Sequence, residues 1–460
     1  STCVVAAEGS AAGAASPCEL VWGINFGREI ARLNEWSWWA PVLPEVSGMV
    51  SVAGELRGIR AVEPPRRLEV LPYAVARGSR EPVSSDDPFR SEREGSLSFG
   101  GDVELGLTSN LTLSATINPD FGQVEADPSV VNLTAQETFY PEKRPFFVEG
   151  SNIFSYGIGF DDGSGEGLFY TRRIGRSPQR GLDGAFTDVP GTTTILGAAK
   201  VSGRTAGGWS IGVLEALTAE ETGRMATDDG EVERHTVEPL TSYTVGRVSR
   251  DFREGRSAAG LMVTGTHRRL GGDGGLSFLT DRAYAGGIDF RHRFAGDSWS
   301  LSGWLAGSHV RGDTAAILRL QESSLRYYQR PDADHLDYDP GATSLSGYGG
   351  TINLFKVDGN WRGGVGGTVR SPGLEVNDAG FQTQADVKLV YGNLRYSHFK
   401  ELGPVRGFNI GLNPSASWDF GNVRAHTQVN LWTNWEFTND WHGGFWTSRS
   451  FEATSTGALR

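Results

Sequence analysis

The chain has little of what usually organises a soluble enzyme of its size. Its 460 residues include two cysteines and three methionines, and no apolar run approaches the roughly 20 residues that a membrane-crossing helix needs. Hydrophobic residues amount to 38%, too few for a helical membrane protein. There is no Gly-x-Ser-x-Gly elbow, no phosphate loop, no His-Glu-x-x-His and no Cys or His set at zinc spacing. With 55 acidic residues, carboxylate pairs of the glycosidase kind arise by chance anywhere, so none is singled out. The net charge of −12 argues against a nucleic-acid partner, whose phosphates call for a basic surface. These absences leave no catalytic residue, no cofactor and no metal site to name. The chain reads as a non-enzyme, with glycan hydrolysis only a third and unsupported function.

Two further scarcities concern the ends. Cys3 and Cys18 lie in an Ala/Gly/Ser-rich leader, as a disulfide that would imply an oxidising compartment or as two free thiols. The chain starts at Ser1 without a basic and apolar export signal, and it stops at Leu459-Arg460 without the terminal aromatic common in outer-membrane barrels. It is read as a fragment lacking sequence at both ends.

What is present is a two-residue rhythm and an excess of glycine, 63 residues, about twice the usual share of roughly 7%. From Leu97 onward some fifteen runs alternate apolar and polar residues. Leu97, Phe99, Val103, Leu105 and Leu107 share one parity, as do Leu111, Leu113, Ala115 and Ile117, and later Val423, Ala425, Val429, Leu431, Trp435 and Phe437. Side chains on a strand alternate between faces, so each run has one apolar face and one wet face. Runs of ten to fifteen residues fit strands that cross a bilayer at a tilt. Aromatics near run ends suit the headgroup level: Trp209, Tyr243, Phe290, Trp299, Trp361, Trp418, Trp432, Trp435, Phe437, Trp441 and Phe445. A soluble sandwich or propeller is the competing architecture, and its strands are usually nearer five or six residues. The expected fold is all-β: an antiparallel transmembrane β-barrel of a bacterial outer membrane, incomplete here, with at least fifteen to sixteen strands in the full protein. His267, His292 and His309 fall within strand runs, where an inward polar position accounts for them.

Residues 1–75 read differently, as the last strands of a β-sandwich domain, with 76–96 as a polar linker and 97–460 as the barrel region. If that first domain is periplasmic, the connections near 203–208, 252–256, 295–297, 357–359 and 401–406 are periplasmic and short. Those near 175–191, 218–240, 269–282, 311–342 and 371–380 are then extracellular and long, the asymmetry such barrels show. The 109–110 and 421–422 turns are the short exceptions on the outer side, and 118–167 lies on the periplasmic side or folds into the lumen. Placing the first domain outside the cell is the alternative.

The least repetitive stretch is 118–150, where charges of both signs interleave with aromatics. One reading makes it a lumen constriction or plug. Asp120, Glu125, Asp127, Glu137, Glu142 and Glu149 would face Lys143, Arg144 and the basic trio Arg172, Arg173 and Arg176. Opposed charges across a narrow lumen select solutes, and a segment held by ion pairs can be displaced. The plainer reading is that polar groups inside a barrel simply have to be paired. Asp120, Glu125 and Asp127 also offer hard ligands for calcium, without an EF-hand pattern. Acidic loop tips at Asp161-Asp162 to Glu166, Asp228-Asp229 to Glu231, and Asp332 to Asp339 (with His335) read as solvated turns, or as sites for divalent cations that bridge lipopolysaccharide.

The strings NPDFGQVEADPSVVNLTAQETFYPEKRPFFVEG (118–150), LFYTRRIGRSP (168–178) and WGINFGREIARLNE (22–35) resemble an uncharacterised bacterial outer-membrane family. In that family a β-barrel region of unknown function follows a domain similar to family 9 carbohydrate-binding modules. The resemblance implies that 1–75 is the C-terminal remnant of the sugar-binding-like domain. Trp36, Trp38 and Trp39 would then stack on a sugar, or else form core and interface packing of a truncated sandwich. The function expected is a channel or transporter for an unknown solute, embedded among outer-membrane lipid and lipopolysaccharide with its first domain periplasmic. The alternative is a carbohydrate-binding envelope protein that uses the barrel as an anchor.

Overall fold

The alternating runs join into one continuous antiparallel sheet. The computed structural model describes the chain apart from residues 1, 5–18, 34, 43–51, 61–66, 81, 85, 109, 120–129, 161–164, 206, 228, 273 and 455–460. The sheet has fifteen strands, each hydrogen-bonded to its neighbours in chain order. They are β1 (Leu68–Arg80), β2 (Arg93–Gly106), β3 (Leu111–Ile117), β4 (Ile195–Arg204) and β5 (Trp209–Thr218). Next come β6 (Leu240–Phe252), β7 (Ser257–Arg269), β8 (Thr280–Phe294), β9 (Trp299–Gly312) and β10 (Ser344–Lys356). The series ends with β11 (Trp361–Arg370), β12 (Val387–His398), β13 (Val405–Trp418), β14 (Arg424–Phe437) and β15 (His442–Ser450). Among the described residues the edge strands β1 and β15 do not pair with each other. Among the described residues no helix is long and apolar enough to cross a membrane.

The sheet begins at Leu68, not at Leu97, because Leu68–Arg80 pairs along its whole length with β2, from Leu68 opposite Leu105 to Arg80 opposite Arg93. The domain expected at 1–75 and the linker expected at 76–96 therefore share their residues with β1. This extra strand corrects the side of one turn. Gly203 of β4 stands opposite Leu111, and Arg204 donates its amide to Asn110, so the 107–110 turn lies with the short turns at 205–208, 253–256 and 295–298. A second correction is that β3 pairs directly with β4. The whole of 118–194 is thus a single excursion from the end that carries the long loops. Upstream of β1, Thr2–Val4, Glu19–Ile24 and Gly54–Arg60 form a small sheet, and Gly27–Ile30 pairs with Glu35–Trp38. Cys18, and with it any pairing to Cys3, lies outside the described residues.

Parity decides which face meets the interior. Outward positions hold Val213, Val263, Ile288, Leu305, Ile352 and Val365, all at least half exposed. Inward positions on these and neighbouring strands hold Thr116, Lys200, Thr218, Arg247, Thr266, Arg268, Thr368 and Arg370, all buried. The sheet is inside out relative to a soluble protein, with charge enclosed and apolar surface displayed. An apolar face this extensive fits lipid rather than water. At the short-turn end the aromatics pack in a row, with Trp361 on Tyr396, Tyr396 on Phe408 and Phe408 on Trp435 at ring-centroid separations of 4.8, 5.9 and 5.1 Å.

Two sequence expectations fail on parity. Tyr243 is fully buried on the inner face rather than part of an aromatic girdle, since residue 243 shares the parity of Val245 and Arg247. His267, His292 and His309 point outward near strand ends, not inward. His267 packs edge-on against Tyr284, His292 stacks on Phe294, and His309 bonds Ser346 across the strand at 2.7 Å.

Leu305 sits at the middle of β9 and is 56% exposed on the outer face. Leu305→Arg is expected to destabilise the bilayer-embedded protein by about 2–4 kcal/mol, and His309→Arg, on the same face near the strand end, by about 0–1 kcal/mol. Urea unfolding in phospholipid vesicles measures both. Equal costs at the two depths would show a face that lipid does not cover.

Candidate functional site: the enclosed segment

Downstream of β3, the described residues between Glu137 and Ile174 pack against the inner wall. Short irregular turns suit this path: α1 (Pro145–Val148) starts on a proline, and Gly150, with φ of 66°, starts the 3-10 turn Ser151–Phe154. Phe146, Phe147, Phe154, Tyr156, Ile158, Leu168 and Ile174 form an apolar cluster with wall residues that include Leu214, Val245 and Met262. Loop residues Leu374 and Val376 complete it. The segment therefore has a core of its own on the inner side of the sheet, and is called the plug for its position.

Ion pairs and hydrogen bonds fix the plug at defined points. Arg173 grips Glu137 with two bonds of 2.8 Å and donates to Gly380 O at 2.8 Å. Arg144 holds both carboxylate oxygens of Glu142, at 2.8 and 2.6 Å, and donates to the carbonyls of Ile174 and Thr171. Arg172 donates to Pro141 O. The wall answers through three side chains, and the plug reaches back through one. Lys200 of β4 donates to the carbonyls of Phe146 and Glu149. Tyr243 of β6 donates to Arg173 O at 3.2 Å, and the plug's own Tyr156 donates to Ile288 O and Leu305 O. Arg370 of β11, fully buried, holds Glu166 through two bonds of 2.9 and 2.8 Å and lies over the Phe160 ring.

The residues expected from sequence are thus placed unevenly. Glu137, Glu142, Arg144 and Arg173 come together as two ion pairs. Lys143 is half-buried beside Glu142, which accepts its backbone amide. Glu149 is exposed and engages Lys200 through its carbonyl. Arg176 stands apart, at the long-loop mouth. Asp120, Glu125 and Asp127 lie outside the described residues, and with them the calcium reading. Glu166, taken for part of a solvated loop tip, is instead 4% exposed and central to the tether. The Asp332–Asp339 loop is likewise docked, with His335 bonded to Asp386 at 3.0 Å. His335, Asp386 and Asp419 offer ligand atoms within 4.8 Å of one another, but the Arg330 guanidinium lies 3.7 Å from both carboxylates and supplies the balancing charge. This cluster is an ion-pair knot that pins three loops together. Sequence reading missed Lys200, Tyr156, Glu166 and Arg370 because each partner lies about 50 to 200 residues away, beyond the reach of any local pattern.

Between the plug and β8–β12 lies a cavity of about 1110 Å³, with Tyr156 and Phe160 on the plug side and Trp304, Asn353, Tyr391 and Asn393 on the wall. Its one acidic lining residue, Glu166, is neutralised by Arg370. Phe290, Ser302 and Phe355 place it toward the short-turn ends of the strands.

Removing one member of a buried pair leaves the other charge uncompensated. Glu166→Gln is therefore expected to destabilise the protein by about 3–5 kcal/mol in urea unfolding, and Glu137→Gln, whose carboxylate is half exposed, by clearly less. A second expectation concerns acid. Burial pushes the Glu142 carboxyl up, but the hydrogen bond and charge of Arg144 outweigh it and hold it below the usual range. A carboxyl depressed in the folded state contributes stability above its unfolded value, near 4.3, that is lost as pH falls through the folded one. The protection of the Lys143 and Arg144 amides against hydrogen exchange, relative to their intrinsic rates, should hold as pH falls to the unfolded carboxyl value and be lost only below it, since both amides bond Glu142. Constant protection in that range contradicts the assignment.

No curated protein sequence matches the chain. Among solved structures it is similar to the outer-membrane protein OpdK from Pseudomonas aeruginosa, at 11% identity and TM-score 0.30, over 85% of this chain and 86% of that one. A BenF-like porin from Pseudomonas fluorescens Pf-5 gives 10% identity and TM-score 0.32 over 86% and 84%. OccK8 (OprE) of Pseudomonas aeruginosa gives 9% and 0.30 over 86% and 87%. A sequence family described as a domain of unknown function, DUF5916, matches residues 64–456, which take in all fifteen strands and the plug between β3 and β4, and the chain belongs to that family.

Proposed function

We propose that this chain is an outer-membrane channel whose lumen is partly occluded by the tethered plug, and that solutes pass through the cavity beside it. The observation that carries this reading is the inside-out sheet. Apolar side chains cover its outer face, while buried threonine, serine, lysine and arginine line the inner face. A barrel that served as an anchor alone has no need of a neutral, polar-and-aromatic space of about 1110 Å³ within it. Opposed groups close to a narrow path select solutes by charge and by hydrogen bonding. Loop asymmetry gives the orientation, with the short turns and the approach to β1 on the periplasmic side and the long loops outside.

A glycan-binding role for the N-terminal region is a second reading, favoured by Trp22, Trp36 and Trp39, each at least half exposed. Trp36 and Trp38 already stack on one another at 5.6 Å, which occupies one face of each ring. A glycan array with the chain in detergent tests it: binding lost in Trp36→Ala supports the reading, and no binding to any glycan removes it.

Planar-bilayer recording tests the channel. The intact chain is expected to give small conductance steps. Replacing 120–191 by a short Gly/Ser turn between β3 and β4 is expected to enlarge them several-fold, with heat-dependent gel mobility as the check that both proteins are folded. Silence from both folded proteins would leave the barrel an anchor.

A further inference from the structure

A second, smaller cavity of about 180 Å³ opens at the long-loop mouth, where four separate segments meet. The plug contributes Arg176 and Gln179, and the end of β7 contributes Arg268. The helix α2 (Thr314–Glu322) with the turn after it brings Arg319 and Arg326, and the loop after β11 brings Glu375 and Asp378. Four arginines thus face two carboxylates, in a protein of net charge −12. Both carboxylates are already committed. Asp378 accepts from Arg268 and from Thr280 Oγ1, and Glu375 pairs with Arg326 at 2.7 Å.

Arg176 is left over. Its Nε is buried without a hydrogen-bond partner, and among the described residues no carboxylate lies within 4 Å of its guanidinium. The acids that Arg176 feels are Glu238, taken up by the amide and side chain of Gln179, and Asp378, held by Arg268 and Thr280. Arg268 and Arg326 likewise hold a buried Nε without a partner beside the same space. Buried guanidinium groups of this kind are costly unless something anionic meets them. Burial, with Arg268 and Arg173 close by, holds the Arg176 guanidinium below the usual arginine range against the pull of Tyr243 and Glu238. The opposite walls are apolar: Phe278, Leu279, Ala316, Leu320 and Leu325.

We infer that this cavity is a binding site for a small monocarboxylate with an apolar body, whose carboxylate meets Arg176 while its body lies against Phe278, Leu279 and Leu320. A planar guanidinium fork matches a carboxylate with two parallel bonds. The apolar walls favour such a ligand over inorganic phosphate, which would leave them facing an ion. The site's place at the outer mouth rests on the channel reading, in which it captures solute before the plug. The pocket itself does not.

The test uses the whole chain in detergent micelles with benzoate as probe, and benzamide and inorganic phosphate as comparators, read by titration calorimetry and thermal unfolding. Benzoate is expected to bind at least tenfold more tightly than either comparator and to raise the melting temperature. Arg176→Gln is expected to weaken benzoate at least tenfold, with Arg176→Lys in between. Without benzoate, the Gln variant should melt no lower than the parent, because it removes an unpaired charge. The inference is overturned if benzamide or phosphate binds as well as benzoate, if the parent binds none of the three, or if Arg176→Gln melts markedly lower without ligand, since that would show a structural partner for Arg176. Binding is read without a bilayer. A chain that binds benzoate but passes no current keeps the site and loses the channel, and the converse result does the reverse.

Discussion

A sheet that turns its apolar face outward must find partners for everything it encloses, and in this fold those partners come from outside the sheet. Lys200, Arg247, Arg268 and Arg370 all point inward from wall strands. Arg247 is answered from the wall itself, by Asp289 of β8, and Arg268 in part by Thr280 of the same strand. Lys200 is met by plug carbonyls, Arg370 by Glu166 of the plug, and Arg268 by Asp378 of the loop after β11. An isolated buried charge costs several kcal/mol even after relaxation. The enclosed segments thus supply counterions and acceptors that the inner face lacks on its own. Their irregular backbone follows from that task, since each must deliver a carbonyl or a carboxylate to a fixed point rather than continue a ladder.

The same division explains what the sequence revealed. Alternation is a local property, so strands from Leu97 onward were legible run by run, and the outward parity of Leu97, Phe99, Val103 and Leu107 is the exposed one in the structure. β1 was hidden because Pro72 and the prolines before it break the strand signal. A proline is tolerated there because β1 is the edge strand among the described residues, where one missing N–H leaves no neighbour unsatisfied. Missing that one strand put the 107–110 turn on the wrong side and split 118–194 into two excursions. Plug contacts were illegible for a different reason. Glu166 sits in an acidic, glycine-rich run that looks like any exposed turn, and only the approach of Arg370, 204 residues later, makes it a buried counterion. Sequence named the acids and bases of this region as two opposed sets and paired none of them; the structure joins Glu142 to Arg144, two residues away, and Glu137 to Arg173, 36 residues away.

Arg330 and Arg176 show how one residue type serves two ends. Both lie at the long-loop end with buried guanidinium nitrogens. Arg330 faces Asp386 and Asp419, so the loops they belong to are held shut by charge balance. Arg176 faces two carboxylates that other arginines have already claimed. A protein that needed Arg176 only for packing would fare better with an apolar residue of similar volume. Uncompensated charge beside an apolar-walled space is the arrangement that a solute's own carboxylate can complete.

The energetics also limit how the plug can move. Pulling it out whole would strip Arg370 and Lys200 of their partners at once and would expose the apolar cluster from Phe146 to Ile174. Each broken buried pair costs about 3–5 kcal/mol. A solute that binds with micromolar affinity supplies only about 8 kcal/mol in total, and only its preference for one state counts toward a shift. Whole ejection is therefore beyond the reach of a single bound ligand. A smaller motion is not. The stretch from Val130 to Pro141 is largely exposed and is held by Arg173 to Glu137, Arg172 to Pro141 O, Ser324 to Ala135 O, the pairing of Tyr170 with Tyr140 and the packing of Phe139 on Tyr170 and Phe381. Releasing these leaves Glu166, Tyr156 and Lys200 in place. Any gating this fold supports is a swing of that outer stretch over a plug core that stays seated.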